Sequence, residues 1–194
     1  MREETKMKCY QLHLELVGCP FPIWRKVILP AKLTFDDLHD VIQCLFRWEH
    51  QHLFEFTVGK YAISDPPDSS ISFAMLAQTT PSRMLRAHRT MLLEQIKKKD
   101  QIFQYIYDFG DHWLLQIQVE DILDQNSDEI TCIGGENAAP LEDIGGIPGY
   151  LEFLEAIKDS SHPQHKMYAE WDLLDFDPSF FDIQEVNKGL AYCD

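Results

Sequence analysis

From Tyr10 to Val17 apolar and polar positions alternate, with Leu12, Leu14 and Leu16 on one side of the period. That period of two is the mark of a half-buried strand. Gly18-Cys19-Pro20-Phe21-Pro22 then reads as a turn, and Trp24 to Leu29 as a second strand stopped by Pro30. Two such runs around a Gly/Pro turn predict a hairpin. The pattern next changes to a helical one. Phe35, Leu38, Val41, Ile42, Leu45 and Phe46 fall on one face of a helix running from Thr34 to Arg47. Thr34 is the N-cap, and Asp36 and Asp37 sit in the first turn, where the helix dipole favours acids. Leu53 to Val58 follows as a strand. A hairpin, a helix and a strand in this order open an α+β fold of the roll or β-grasp kind, an antiparallel sheet wrapped on a central helix.

Farther on, residues 63–80 read as irregular, with a loop signal at Asp65-Pro66-Pro67-Asp68-Ser69-Ser70. Residues 81–99 read as at least partly helical, with Met84, Met91, Leu92 and Ile96 on one side. Ile102–Tyr107 and Trp113–Val119 form a second predicted hairpin, joined by Asp108-Phe109-Gly110-Asp111-His112. Residues 121–131 are polar. Gly134-Gly135 and Gly145-Gly146 bracket a loop rich in acids and proline. Tyr150–Ile157 and Ile183–Leu190 close the chain as helices, with a break at His162-Pro163. No internal repeat or low-complexity tract interrupts what reads as one domain, 1–194.

Several strings in this order resemble a known family. They are Pro22-Ile23-Trp24-Arg25, then Leu38-His39 with Val41-Ile42-Gln43, then Trp48, His52-Leu53 and Phe56. Tyr107-Asp108-Phe109-Gly110-Asp111 with Trp113 follows, then Glu142-Asp143, Gly145-Gly146 and Gly149-Tyr150, and last Phe176-Asp177-Pro178. Together they resemble the Ri-plasmid ORF-three-like family, also described as TnpR-like passenger proteins of an insertion element. The resemblance spans nearly the whole chain. One departure is Leu141, where the family usually has a second proline before the Glu-Asp pair. The resemblance implies an α+β fold with an antiparallel sheet wrapped on the first helix. It implies no reaction, and nothing here matches the serine-centred site of a resolvase.

Composition narrows the class. The chain has 194 residues, 45% hydrophobic and 25% charged, an ordinary globular balance. No stretch approaches the roughly 18 apolar residues of a membrane span. Residues 1–8 are charged with no apolar run behind them, so no secretory signal is expected. Five cysteines, odd in number and scattered, point to reduced thiols and a cytoplasmic location. The net charge of −15 is uneven, +2 over residues 1–107 and −17 over residues 108–194. An acidic half repels phosphate backbones, which disfavours strong nucleic-acid binding there. It suits a solvated surface, a basic protein partner or a divalent cation. The basic segment 83–99, with Arg83, Arg86, Arg89, Lys97, Lys98 and Lys99, is expected as a solvated face or an internal partner for the acids.

Candidate chemistry gathers in two loops. Asp108-Phe109-Gly110 matches the magnesium-binding triplet of protein kinases, but no Gly-rich phosphate loop or H-R-D string accompanies it. A hairpin turn explains it, with Gly110 at a positive φ and Asp108 or Asp111 as the cap. Alternatively Asp108, Asp111 and His112 share a strand end and bind a divalent cation, Mg or Mn. Glu142 and Asp143 precede Gly145, Gly146 and Tyr150. These glycines leave backbone N–H groups free for an anion, or Asp143 caps a tight turn. His50 and His52 flank Gln51 and would share a strand face as a weaker metal pair. Cys132 sits in an acidic setting that disfavours a thiolate. Two readings follow. The first is a binding or interaction module, linked to mobile elements by the family label alone. The alternative is a metal-dependent hydrolase or phosphoryl-processing enzyme, which requires Asp108, Asp111, His112, Glu142 and Asp143 to converge.

Overall fold

The alternating strands pair into one eight-stranded sheet. In the computed structural model, which describes residues 6–65, 83–125 and 128–192, the strands are β1 (Met7–Leu16), β2 (Trp24–Pro30), β3 (Phe54–Val58), β4 (Tyr61–Ser64), β5 (Arg83–Arg86), β6 (Ile102–Tyr107), β7 (Trp113–Gln125) and β8 (Thr131–Glu136). Their order across the sheet is β5-β4-β3-β6-β7-β1-β2-β8. All pairs are antiparallel except β4 with β5. Both predicted hairpins are present, β1–β2 and β6–β7.

The helices are α1 (Phe35–Phe46), α2 (Leu92–Gln95), α3 (Gly146–Lys158), α4 (His165–Glu170) and α5 (Ile183–Leu190). Thr34 caps α1 through a reciprocal box. Its hydroxyl accepts the Asp37 N–H, and the Asp37 carboxylate accepts the Thr34 N–H. Leu38, Val41, Ile42 and Leu45 are buried. They join Leu12 and Leu14 of β1, Phe56 of β3 and Tyr105 of β6 in one core, so the apolar stripe of α1 meets the inward face of the sheet. The class is α+β, with a large sheet wrapped on one helix.

Four local expectations are corrected. Residues 83–99 are helical in part, but their apolar residues do not share one side. They form β5, one turn of 3-10 helix and the single turn of α2. Met84 and Met91 are exposed, while Leu92 and Ile96 are buried. The segment's backbone is laced to the entry of α1, with Leu92 N–H bonded to the Leu33 carbonyl and Phe35 N–H to that of Thr90. Partners that distant in sequence leave no periodic trace. Tyr61–Ser64 is a strand and not irregular, while the proline loop after Asp65 lies outside the described residues. Gly134 and Gly135 lie inside β8, because the Trp24 and Phe181 rings pack where their side chains would stand. Finally, Cys44 is disulfide-bonded. Cys19 and Cys132 are free thiols. Cysteine spacing carries no information on which thiols the fold brings together. Among the described residues no helix is long and apolar enough to cross a membrane.

Candidate functional site

The β6–β7 connection and the loop entering α3 touch. Asp108 opens the connection at φ 54° and His112 closes it at φ 60°. Gly110 is therefore not the left-handed residue of this turn. Asp108 takes that conformation because its Oδ1 accepts the Gly110 N–H at 2.8 Å, a local bond that short acidic side chains supply. Asp111 reaches across the gap, its Oδ2 accepting the Gly145 N–H at 3.0 Å. Gly145 is the N-cap of α3. One N–H group at this helix start thus meets an anion of the chain itself. Gly146 must be glycine twice over. Its φ is 65°, and a Cβ there would collide with the Asp111 carbonyl oxygen.

A third segment, between α1 and β3, completes the corner. The Tyr107 hydroxyl donates to Glu142 and accepts the backbone N–H groups of Gln51 (3.0 Å) and His52 (3.3 Å). Burial, and then Glu142, push the Tyr107 phenol well above its ordinary range, so it stays a proton donor. Glu142 also accepts the Glu49 N–H at 3.0 Å, and the Trp48 indole donates to the Pro140 carbonyl at 3.1 Å. His52 Nε2 lies 3.2 Å from Asp143 Oδ1 and 3.7 Å from Asp108 Oδ2. The first contact is misaligned and the second too long for a hydrogen bond, so Nε2 is buried with no hydrogen-bond partner.

The predicted residues therefore divide. Asp108 and Asp143 come together, with His52 as their third member. Glu142 and Asp111 lie alongside but are committed to Tyr107 and to backbone N–H groups. Asp143 stands at φ 57° and caps no backbone group, its carboxylate being turned toward His52. His112 is exposed, with no side-chain partner among the described residues. Tyr150 belongs to the core, its ring near Phe21 and Phe176. Cys132 is buried too, and burial pushes its thiol up.

His50 and His52 do not form a pair. The segment holding them is not a strand, and Arg47 and His50 both take left-handed φ, so alternate residues do not share a face. His50 turns instead toward His39 and Asp40. Those three also hold ligand-type atoms within 4.8 Å of one another, but their hydrogen bonding argues against a metal. The His50 N–H donates to Gln43 Oε1 at 2.9 Å, which orients that amide. Gln43 Nε2 then donates to the Tyr105 hydroxyl at 3.1 Å, and the Tyr105 proton goes to His39 Nδ1 at 2.8 Å. His39 keeps its own proton on Nε2, and neither nitrogen has a lone pair to spare. Burial, and then His50, hold its pKa down at about 3.

A cavity of about 640 Å³ opens beside the corner. One wall is the end of α1 with Glu49 and Gln51, the second is 138–143, and the third is 175–182 with Val186. Arg25 builds the floor. It is 4% exposed and gives its guanidinium to the carbonyls of Leu45, Trp24, Glu136 and Asn137. It also stacks on Phe46 and Phe181, and burial lowers its pKa to about 10. Residues 171–181 mix aromatics with acids, and that pattern does not say what the run packs against.

A sheet of this order closed by one helix, with a polar corner beside a groove, defines an α+β protein of mixed-sheet type. The chain belongs to the plasmid pRiA4b ORF-3-like family, whose model matches residues 8–185. It is 28% identical over 171 residues to the uncharacterised protein y4hQ of Sinorhizobium fredii (strain NBRC 101917 / NGR234), over 87% of this chain and 83% of that one. A crystal structure of MM3350, a protein of unknown function from Methanosarcina mazei Go1, superposes with a TM-score of 0.77 at 32% identity. That match covers 92% of this chain and 97% of the other.

Proposed function

We propose that the chain is a binding module whose groove receives a basic segment of a protein partner. The observation that carries this reading is the charge left in the groove once internal pairs are counted. Glu49, Glu142, Asp143, Asp175, Asp177 and Asp182 line it. Its two arginines do not offset them in the same way. Arg47 is paired with Glu185, so Arg25 is the one arginine left against the six acids. Apolar Phe176, Phe181 and Leu45 lie between the acids. An acidic rim with apolar side chains between the acids complements a segment that alternates cations with an apolar side chain. The hydrolase alternative needs five residues in one cleft, and Asp111, His112 and Glu142 are occupied or turned elsewhere. A link to mobile elements rests on the family's plasmid name alone.

The test is fluorescence anisotropy with a labelled peptide alternating lysine and leucine, against an acidic counterpart of equal length. The basic peptide is expected to bind with a Kd on the order of 10 μM that weakens as salt rises. Glu49→Lys with Asp175→Lys, both exposed, should weaken it at least tenfold. Equal binding of the two peptides, or no loss in the double variant, would sink the proposal.

A further inference from the structure

We infer that His52, Asp108 and Asp143 form a binding site for a divalent transition-metal ion. Each residue comes from a different part of the chain: the approach to β3, the end of β6 and the loop before α3. The tertiary fold alone assembles them, and their ligand-type atoms lie within 4.8 Å of one another.

One observation beyond proximity points to a ligand. Asp108 is 8% exposed. Its Oδ1 is used by Gly110, while Oδ2 lies 3.7 Å from His52 Nε2. Facing it, His52 Nε2 is buried and lacks a hydrogen bond. A buried ring nitrogen without a hydrogen bond, set between two carboxylates, marks a place where a further group belongs. The spacing fits a metal. Ligands about 2.0–2.1 Å from a tetrahedral ion stand roughly 3.3 Å apart, and the contacts here are 3.2 and 3.7 Å.

The donor set indicates the class of ion. One imidazole and two carboxylates suit borderline ions such as Zn²⁺, Fe²⁺ or Mn²⁺ better than Ca²⁺, which takes oxygen ligands only. Three protein ligands leave at least one coordination position open. Asp143 also lines the groove and its side chain is 70% exposed, so the open position faces that side. The inference does not depend on the peptide-binding reading. The His39, Asp40 and His50 set serves as an internal control, because both of its His39 nitrogens are committed.

The experiment is titration of chelator-treated protein with Mn²⁺, followed by electron paramagnetic resonance of the free ion, and with Zn²⁺, followed by Tm. One Mn²⁺ per chain is expected, with a Tm rise of about 5 °C or more in Zn²⁺ at 100 times its Kd. His52→Asn and Asp143→Asn should each weaken Mn²⁺ binding at least tenfold, whereas His50→Ala and His112→Ala should leave it unchanged. Asp143 is exposed, so its variant keeps the fold even if substitution at buried Asp108 does not. The inference fails if Mn²⁺ does not bind at millimolar concentration, which would leave a water between the two groups. It fails equally if binding survives in both His52→Asn and Asp143→Asn.

Discussion

His39 holds a neutral imidazole inside the protein by a chain of donors that begins at a backbone N–H. Gln43 passes the orientation to Tyr105, and Tyr105 passes it to Nδ1. The ring also stacks on Phe54 at 3.8 Å. With a folded pKa of about 3 against an ordinary 6.5, the unfolded chain takes up a proton that the folded chain refuses. Stability contributed by this group is therefore complete above about pH 6.5 and is lost as pH falls toward 3. The slope is at most about 1.4 kcal/mol per pH unit. Denaturant unfolding measured from pH 7 to pH 4 should show this loss, and His39→Asn should flatten it. An equal slope in both proteins would mean that other groups govern acid sensitivity.

Among the elements, α1 organises the rest. Its cap and its stripe agree: Thr34 and Asp37 close the N-terminus, and Leu38, Val41, Ile42 and Leu45 enter the core on one side. That agreement between local propensity and tertiary burial made this helix legible from its residues. Leu38 is fully buried, so Leu38→Ala should cost about 2–5 kcal/mol. Thr34→Ala, which removes one hydroxyl of the cap, should cost about 1 kcal/mol. Urea unfolding should rank the two in that order. A loss below about 0.5 kcal/mol for Leu38→Ala would show that this face is not core. The segment after β5 is the counter-case. Its few turns are held by hydrogen bonds to residues 31–35, so its own pattern misleads.

For the molecule as a whole, the acidic half and the basic segment belong to one body. Several basic groups of residues 83–99 are already engaged. Arg86 and His88 approach Asp65 at 3.7 and 2.7 Å, and Lys99 approaches Asp121 at 3.8 Å. The field of a −15 chain acts over roughly 8 Å at physiological salt. Binding to random duplex DNA should accordingly be no tighter than a Kd on the order of 10⁻⁴ M at that salt. A gel-shift series over salt concentration tests this, and tight binding with a steep salt slope would contradict it.

The sequence by itself determined the elements whose signals are local. Alternation marked the two hairpins, and a helical stripe behind the Thr34 cap and its first-turn acids marked α1. It also marked the two Gly-and-acid loops as irregular, since glycine and aspartate betray backbone geometry wherever they cluster. Only the tertiary structure decided which side chains meet. His52 rather than His112 joins Asp108 and Asp143, because left-handed residues at 47 and 50 turn the segment after α1. The same bend sends His50 to His39 instead of to its near neighbour. Arg25 comes to underlie a groove whose third wall lies some 150 residues later in the chain. Contacts between residues that far apart depend on strand order and loop closure, and neither leaves a periodic trace in the residues that finally touch.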